Sequence, residues 1–283
     1  MNPYVRKALG PVARQMIWVA GHLFVKGRDL RDATRACQDF ARQGVACTIG
    51  YFNADDEAPG AVAAVYLATV DALAAARLDG YLSLKIPALG FDDGLLSDVV
   101  ARAQRAGVMV HFDSHALDQA DRTWAAVERS YATYPSLSCT LPGRWRRSLD
   151  DAELVIARGL RVRVVKGQWV DPAHPEIDRR DGFLAGIDRL AGRARHVAVA
   201  SHDPPLAREA LRRLRDAGTS CELELLTGLP ARASMRMARE LGVGVRAYVP
   251  SGVAWVPYAL TQARQNPHLI PWVIKDMTIE RFR

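Results

Sequence analysis

The sequence predicts an α/β fold in which eight strands and eight helices alternate as a (βα)8 barrel. Short β-branched runs and longer amphipathic helical patterns follow one another eight times. No Pro/Gly-rich linker interrupts this alternation, so the 283 residues, 49% of them hydrophobic, are predicted to form one domain rather than two. An open doubly wound sheet is the main alternative, but no G-x-G-x-x-G follows the first strand and no G-x-x-x-x-G-K-[ST] occurs.

The alternation sets the expected order and bounds of the elements. An amphipathic segment, Asp29–Arg42, precedes the first strand and could close the bottom of the barrel. The predicted strands are Val45–Phe52, Gly80–Ile86, Val108–Asp113, Ser136–Leu141, Leu160–Lys166, His196–Ser201, Cys221–Leu226 and Val243–Val249. The predicted helices are Ala61–Ala76, Gly94–Ala106, Thr123–Tyr134, Leu149–Arg158, Asp181–Leu190, Leu206–Ala217, Ala231–Leu241 and Trp255–Arg264. We expect residues 1–44 to form an N-terminal helical segment, residues 45–267 the barrel, and residues 268–283 a C-terminal tail.

Charge and cysteine content argue against a nucleic-acid-binding protein and against a metal or redox site built from cysteines. The net charge of +7 comes from arginines scattered through predicted helices, which without an aromatic-interleaved basic stripe indicate a solvated surface rather than nucleic-acid binding. The apolar run at 16–20 is short and lacks a cleavage pattern, so we expect no signal peptide and no membrane insertion. Four widely spaced cysteines fit no metal or redox motif and indicate buried thiols in a cytoplasmic protein: Cys37, Cys47, Cys139 and Cys221.

Two segments carry polar residues where a predicted strand ends. The first, Arg161-Val-Arg-Val-Val-Lys-Gly-Gln-Trp169, resembles the R-L-V-K-G-A-Y strand of the proline dehydrogenase family. The second, Arg246-Ala-Tyr-Val-Pro-Ser-Gly-Val-Ala-Trp-Val-Pro-Tyr258, is similar to that family's R-V-Y-V-P-Y-G-x-x-W-Y-P-Y. The resemblance covers residues 24–267. It implies a distorted (βα)8 barrel whose last helix lies over the barrel mouth.

The chain departs from this family where the substrate is expected to bind. After its last tyrosine, here Tyr258, the family has an Arg-Arg pair that binds the substrate carboxylate, and this chain has Thr261 and Gln262. Strand seven resembles F-E-F-Q-M-L-Y-G, but the glutamine becomes Glu224 and the tyrosine that lines the substrate ring becomes Thr227. Because bidentate arginine contacts to a carboxylate are strong, the resemblance implies a substrate other than free L-proline.

Lys85 and Asp113 each end an apolar strand and are expected at the barrel mouth. The resemblance places the family's matching lysine in the substrate pocket and its matching aspartate near flavin and substrate, with Ser114 as a cofactor contact. Because an unpaired charge inside a barrel is costly, we expect Lys85 and Asp113 to pair. From the residues alone, Lys85 could instead extend to solvent and Asp113 could cap the following loop.

The resemblance also implies a set of FAD contacts. Arg163 matches an arginine near the reactive edge of the flavin, and on an apolar strand it needs an anion or an electron-rich ring beside it, unless it is a surface cation. Ala200-Ser-His-Asp203 resembles the family's A-T-H contact. On strand four, Pro142 replaces a glutamine contact to the flavin, and Arg144 replaces a tyrosine and is assigned to the substrate. The expected cofactor contacts are Ser114, Arg163, Lys166, Gly167, Gln168, Ser201, His202 and Glu222.

The resemblance implies an FAD-dependent oxidoreductase that takes hydride from the carbon next to a secondary amine and produces an imine. Asp113 and Arg163 are the expected catalytic residues. The expected substrate is a cyclic or secondary amine or a proline-like imino acid, free or bound to a carrier. The sequence identifies no electron acceptor. Two other classes stay open, a flavin-binding barrel without catalysis and a barrel enzyme that uses no flavin.

Overall fold

The computed structural model describes residues 29–252 of the chain. In that range eight parallel strands form a closed barrel, in which each strand pairs with the next and β8 (Gly244–Ser251) pairs with β1 (Ala46–Tyr51). The predicted (βα)8 barrel is confirmed. The open doubly wound sheet is wrong, because the first and last strands pair with each other.

The elements lie close to their predicted bounds. The other strands are β2 (Gly80–Leu84), β3 (Met109–Phe112), β4 (Leu137–Pro142), β5 (Arg161–Val165), β6 (His196–Ala200) and β7 (Cys221–Leu226). The α-helices among the described residues are α1 (Leu30–Ala41), α2 (Pro59–Ala75), α3 (Asp93–Ala106), α4 (Ala120–Tyr131), α5 (Ser148–Arg158), α6 (Arg179–Leu190), α7 (Pro204–Asp216) and α8 (Arg232–Glu240). Short 3-10 helices, Ile86–Leu89 and Leu117–Gln119, follow β2 and β3. The helix predicted at Trp255–Arg264 lies outside the described residues.

Local sequence signals fix several helix ends. At the start of α7, the Asp203 carboxylate accepts a hydrogen bond from the Leu206 amide at 3.2 Å, and Pro204 supplies a φ that suits the first turn. Asp92 caps the start of α3, and Gly107, at a φ of 67°, ends it in the left-handed conformation. Because all eight strands run the same way, their carboxyl ends meet at one rim, which is the mouth of the barrel.

α1 packs against β1 and β8 on the outside of the barrel. Its buried residues form one apolar stripe, as expected for an amphipathic helix, and they are Ala33, Ala36, Cys37 and Phe40. All four cysteines of the chain are free thiols. Within residues 29–252, no helix is both long and apolar enough to cross a membrane.

The strands of the barrel bury two different faces. Side chains that point outward, such as Ile49, Val162 and Leu223, are apolar and lie in the core between strands and helices. Many side chains that point inward are polar or charged, and hydrogen bonds between non-neighbouring strands show that they cross the interior. Successive strand residues alternate between the two faces, so the polar interior positions recur at every second residue.

Candidate active site

Arg163 of β5 lies at the centre of a hydrogen-bond network inside the barrel. Its Nε and Nη2 atoms donate to the two carboxylate oxygens of Glu224 at 2.7 Å each, and Nη1 donates to Asp113 Oδ1 at 2.6 Å. The Arg163 side chain is only 5% exposed, so these charge-assisted bonds are shielded from bulk water. A buried cation is costly unless it is paired. The resemblance assigned the anion beside Arg163 to the flavin, whereas in the structure two protein carboxylates supply it.

Glu224 of β7 accepts four hydrogen bonds. Besides the two from Arg163, Thr48 Oγ1 donates at 3.0 Å and the Tyr81 hydroxyl donates at 3.2 Å. A carboxylate offers about four acceptor positions, so this one is saturated. The sequence marked Glu224 only as a replacement of the family's glutamine, and its contact with Arg163 is a finding of the structure.

Asp113 follows β3 and lies at the mouth. Besides Arg163, it binds two hydroxyl groups through Oδ2, that of Ser83 at 2.8 Å and that of Tyr248 at 3.2 Å. Burial opposes ionisation of Asp113, but the Arg163 guanidinium, the hydrogen bond with His111 and the positive charge of Lys85 together hold the pKa of this carboxyl well below its usual range. The mouth therefore presents a fixed, ionised carboxylate.

His111 lies fully buried in the interior next to Asp113. Its Nδ1 is 2.8 Å from Ser138 Oγ, and its Nε2 is 2.7 Å from Thr140 Oγ1 and 3.4 Å from Asp113 Oδ1. Burial lowers the pKa of His111, and the positive charge of Arg163 lowers it further. A neutral ring between two hydroxyl groups suits this position, because a hydroxyl can either donate or accept. No sequence motif marked His111 as a site residue.

Lys85 does not form the predicted ion pair with Asp113. Its Nζ donates to the backbone oxygen of Tyr51 at 2.8 Å and lies 4.2 Å from the centroid of the Phe52 ring. Arg163 and three hydroxyl groups, the third that of Thr140 at 3.4 Å, already occupy the Asp113 carboxylate, which explains the difference. Burial lowers the pKa of Lys85, and the negative charge of Asp113 offsets part of that effect.

Tyr248 reaches Asp113 by lying over Gly50 of β1. A Cβ at position 50 would come within 1.9 Å of the Tyr248 hydroxyl oxygen, so the tyrosine needs a glycine there. We expect Gly50→Ala to displace Tyr248 and to lower the free energy of unfolding by about 1–3 kcal/mol, as measured by urea denaturation.

Gly60→Ala is the matched control for this change, because a Cβ at position 60 meets nothing within 4 Å. In a Tyr248→Ala background, Gly50→Ala should then cost little, since the clash has been removed. If the costs of Gly50→Ala and Tyr248→Ala simply add, the clash is not the cause of the loss.

The ends of β5 and β6 carry Lys166 and Ser201. Lys166 Nζ lies 3.1 Å from Asp203 Oδ2, and the two side chains are 39% and 40% exposed. Such a solvent-screened pair is weak, so Lys166 can exchange its partner for another anion. Ser201 Oγ accepts a hydrogen bond from the Asp203 amide at 3.2 Å, which leaves its hydroxyl proton to donate.

His202 has both ring nitrogens engaged within the protein. Its Nε2 accepts from the Leu226 amide at 3.0 Å, so the proton lies on Nδ1, which donates to the Pro230 carbonyl at 2.9 Å. Burial lowers the pKa of His202, in keeping with a neutral ring. His202 therefore links the end of β6 to the end of β7, and no ring nitrogen is left to bind a cofactor.

Arg144 is buried beneath the loop that follows β5. Its Nη1 donates to the backbone oxygen of Gln168 at 2.8 Å, and its Nη2 pairs with Glu176. Gly167 adopts a φ of 91°, and a Cβ there would lie 3.0 Å from Pro142 Cβ, so the ends of β4 and β5 are in close contact. The Nε of Arg144 is buried with no hydrogen-bond acceptor within the described part of the chain.

Glu222 lies in a layer farther from the mouth than Glu224. It accepts hydrogen bonds from Arg246 Nε at 2.8 Å and from Arg161 Nη2 at 3.1 Å. Arg246 also donates to the backbone oxygen of Cys47, near the start of β1. Interior residues two apart on a strand belong to successive layers. Because the Glu224 layer separates Glu222 from the mouth, we leave Glu222 out of the candidate cofactor site.

The remaining predicted residues lie on the rim or outside the described range. The Thr227 amide donates to the Tyr248 backbone oxygen at 2.9 Å, which places Thr227 beside β8 at the mouth. Ser114 borders a cavity of about 20 Å³ between β3, β4 and α4. The other predicted substrate contacts lie outside residues 29–252, and they are Tyr258, Thr261 and Gln262.

The residues at the ends of β4 to β6 fit a flavin cofactor. A partly exposed ammonium at Lys166, a hydroxyl donor at Ser201 and the buried, unpaired Nε of Arg144 lie on this side of the mouth. Cations and N–H or O–H donors of this kind bind phosphate and flavin oxygens. Pro142 adds no backbone donor there.

A closed barrel of eight parallel strands with helices outside belongs to the class of (βα)8 barrels. The active sites of this class lie at the carboxyl ends of the strands, where Lys85, Asp113 and Lys166 are found here. In sequence, the chain is 23% identical to Proline dehydrogenase 1 of Bacillus subtilis (strain 168), in an alignment of 272 positions that covers 90% of this chain and 89% of the relative. It is 24% identical to the Proline dehydrogenase of Deinococcus radiodurans, in an alignment of 295 positions, gaps included, that covers 96% of this chain and 94% of the relative. The resemblance to the proline dehydrogenase family is confirmed. No family model matches the chain.

Solved structures of proline utilization A (PutA) share this fold. The protein from Bdellovibrio bacteriovorus, inactivated by N-propargylglycine, matches with a TM-score of 0.73 and 16% identity over 89% of this chain and 33% of that chain. The protein from Corynebacterium freiburgense matches with a TM-score of 0.71 and 17% identity over 92% of this chain and 32% of that chain. The chain thus spans about a third of the length of these solved chains, and at such identity the likeness establishes the fold.

Proposed function

We propose that this protein is an FAD-dependent oxidoreductase that acts on a CH–NH group, removing hydride from the carbon beside a secondary amine to produce an imine. The observation that carries the proposal is the Asp113–Arg163 ion pair at the mouth of a barrel that is similar in sequence to proline dehydrogenases over 90% of its length. FAD supplies the acceptor for the hydride, which is two electrons and one proton.

Three side chains of the mouth have distinct roles in this proposal. The ionised carboxylate of Asp113 attracts the substrate nitrogen through its negative charge and so orients it. The amine must be neutral before its carbon can lose hydride, so a positioned basic group or water takes up the proton, and Lys85 shapes the polarity of the mouth around it. Arg163 offsets the negative charge that develops on the reduced flavin.

The charges of Asp113 and Arg163 also bear on the two alternative functions, a flavin-binding barrel without catalysis and a barrel enzyme that uses no flavin. A barrel that binds flavin without catalysis has no need of a buried carboxylate and guanidinium at its mouth, so these groups favour an enzyme. A barrel enzyme that uses no flavin would need another cofactor for hydride transfer. The absorption spectrum of the purified protein separates this class from the other two.

Protein produced with flavin supplied is expected to be yellow and to release FAD on heat or acid denaturation, because we propose non-covalent binding. The absorption spectrum before denaturation and chromatography of the released cofactor measure this. The Arg163→Ala variant is expected to impair flavin reduction by the substrate more than flavin binding. A preparation that copurifies with no flavin and takes none up contradicts the proposal.

The proposed substrate is a cyclic or secondary amine whose carboxylate is modified, absent or carried elsewhere. Thr227 in place of a tyrosine removes a wall of the pocket, and Thr261 and Gln262 offer neutral donors and acceptors in place of two arginines. The rival is an acidic substrate bound by Arg144 and Lys85, but the pairing of the Arg144 guanidinium with Glu176 counts against it.

A further inference from the structure

Among residues 29–252, Glu224 alone contacts Arg163 through two hydrogen bonds, yet the proposed reaction gives it no role. We infer that Glu224 is a positioning residue for Arg163 and that its negative charge lowers the reduction potential of a flavin bound at the mouth. This inference rests on the proposed function, since it concerns the same flavin.

The contacts of Glu224 fix the orientation of Arg163. Two parallel hydrogen bonds hold the Nε and Nη2 edge of the guanidinium against Glu224, and this leaves Nη1 directed to Asp113. Hydroxyl groups from β1 and β2 hold the Glu224 carboxylate in turn. The Tyr248 ring centroid lies 5.1 Å from Arg163 Cζ. The planar Arg163 guanidinium therefore cannot rotate without breaking both hydrogen bonds to Glu224.

The charges of this cluster determine how strongly it favours a reduced flavin. Arg163 alone favours the reduced form, because that form carries the additional negative charge. Glu224 and Asp113 place two carboxylates against the single guanidinium, and all three side chains are at most 15% exposed. Charges in such a shielded region interact more strongly than charges in water. The cluster therefore disfavours reduction relative to Arg163 paired with Asp113 alone.

The test is the midpoint potential of the flavoprotein, measured by equilibrium titration against a redox dye. Glu224→Gln keeps the size of the side chain and one acceptor oxygen while it removes the charge, and glutamine is the residue of the similar family at this position. We expect the reduction equilibrium of the flavin to shift at least tenfold toward the reduced form, which is 29.6 mV for a two-electron couple.

Glu222→Gln is the matched control. Glu222 lies on the same strand, is buried, and is bonded to an arginine, but it belongs to the layer farther from the mouth. We expect this control to shift the equilibrium less than twofold. Equal shifts in the two variants would overturn the inference, because the effect would then not depend on the contact with Arg163.

If Glu224→Gln does not fold, a double variant tests the same inference. Arg163→Gln combined with Glu224→Gln removes one charge of each sign, so we expect its potential to lie above that of Arg163→Gln alone. Identical potentials for these two variants would show that Glu224 does not act on the flavin. A flavoprotein whose potential is insensitive to Glu224→Gln overturns only this inference, whereas a protein that binds no flavin overturns the proposed function as well.

Discussion

The Arg163→Met variant is expected to lose about 3–5 kcal/mol of the free energy of unfolding, because removal of one partner leaves a buried charge uncompensated. Arg163 is the common partner of two carboxylates, so its loss leaves Asp113 and Glu224 facing each other without a cation. Loss of Arg163 also removes the largest of the interactions that keep Asp113 ionised against its burial. Urea denaturation followed by far-UV circular dichroism measures the change.

Arg158→Met is the matched control for this loss. Arg158 also binds a carboxylate through two nitrogens, that of Glu128, but its side chain is 45% exposed. An exposed pair of this kind is screened by solvent and contributes little to stability. Adding Glu224→Gln to Arg163→Met should recover part of the stability, because it removes one of the unpaired charges. Equal losses in Arg163→Met and Arg158→Met would show that the interior cluster is no better shielded than the surface.

The order of the elements could be predicted because each strand and helix has its own local signal. β7 has its predicted bounds, Cys221–Leu226, since a run of alternating residues lies between an Ala-Gly-Thr-Ser turn and Gly228. Local signals alone do not predict that the sheet closes into a barrel. That prediction came from the count of eight βα units, and the pairing of the first and last strands confirms it.

The partners of the interior charges could not be predicted, because they lie on strands that are far apart in sequence. Arg163 and Glu224 are 61 positions apart, and Tyr81 and Glu224 are 143 apart. The predicted pair of Lys85 with Asp113 was wrong because Arg163, which lies deeper in the barrel, binds Asp113 instead. The prediction considered only residues at the mouth.

A signal for the interior layers was nevertheless present in the sequence. Polar residues recur at every second position of several strands, as in the pairs Arg161 with Arg163 and Glu222 with Glu224. Alternation of this kind predicts which residues share the inner face, and it would have placed Glu224 beside the mouth and Glu222 one layer below. It does not predict which cation meets which anion, since that depends on the register of all eight strands.

The variant Thr261→Arg with Gln262→Arg is expected to gain affinity for L-proline by at least tenfold, which corresponds to about 1.4 kcal/mol. Two guanidinium groups supply the bidentate contacts to a carboxylate that the similar family has at these positions. The arginine variant should also bind the native ligand at least tenfold more weakly. With the wild-type protein, anaerobic mixing with L-proline is expected to leave the flavin oxidised. A titration of flavin bleaching against L-proline measures the gain.

Thr261→Lys with Gln262→Lys is the matched control, because it adds the same charge without the planar fork and should gain less affinity for L-proline than the arginine variant. Equal gains in the two variants would mean that charge alone attracts the carboxylate. Rapid bleaching of the wild-type flavin by L-proline would show that another cation already binds the carboxylate, even though Arg144 is paired with Glu176. If the arginine variant binds L-proline no better and treats the native ligand unchanged, positions 261 and 262 do not contact the substrate, and the proposed change of substrate loses its basis.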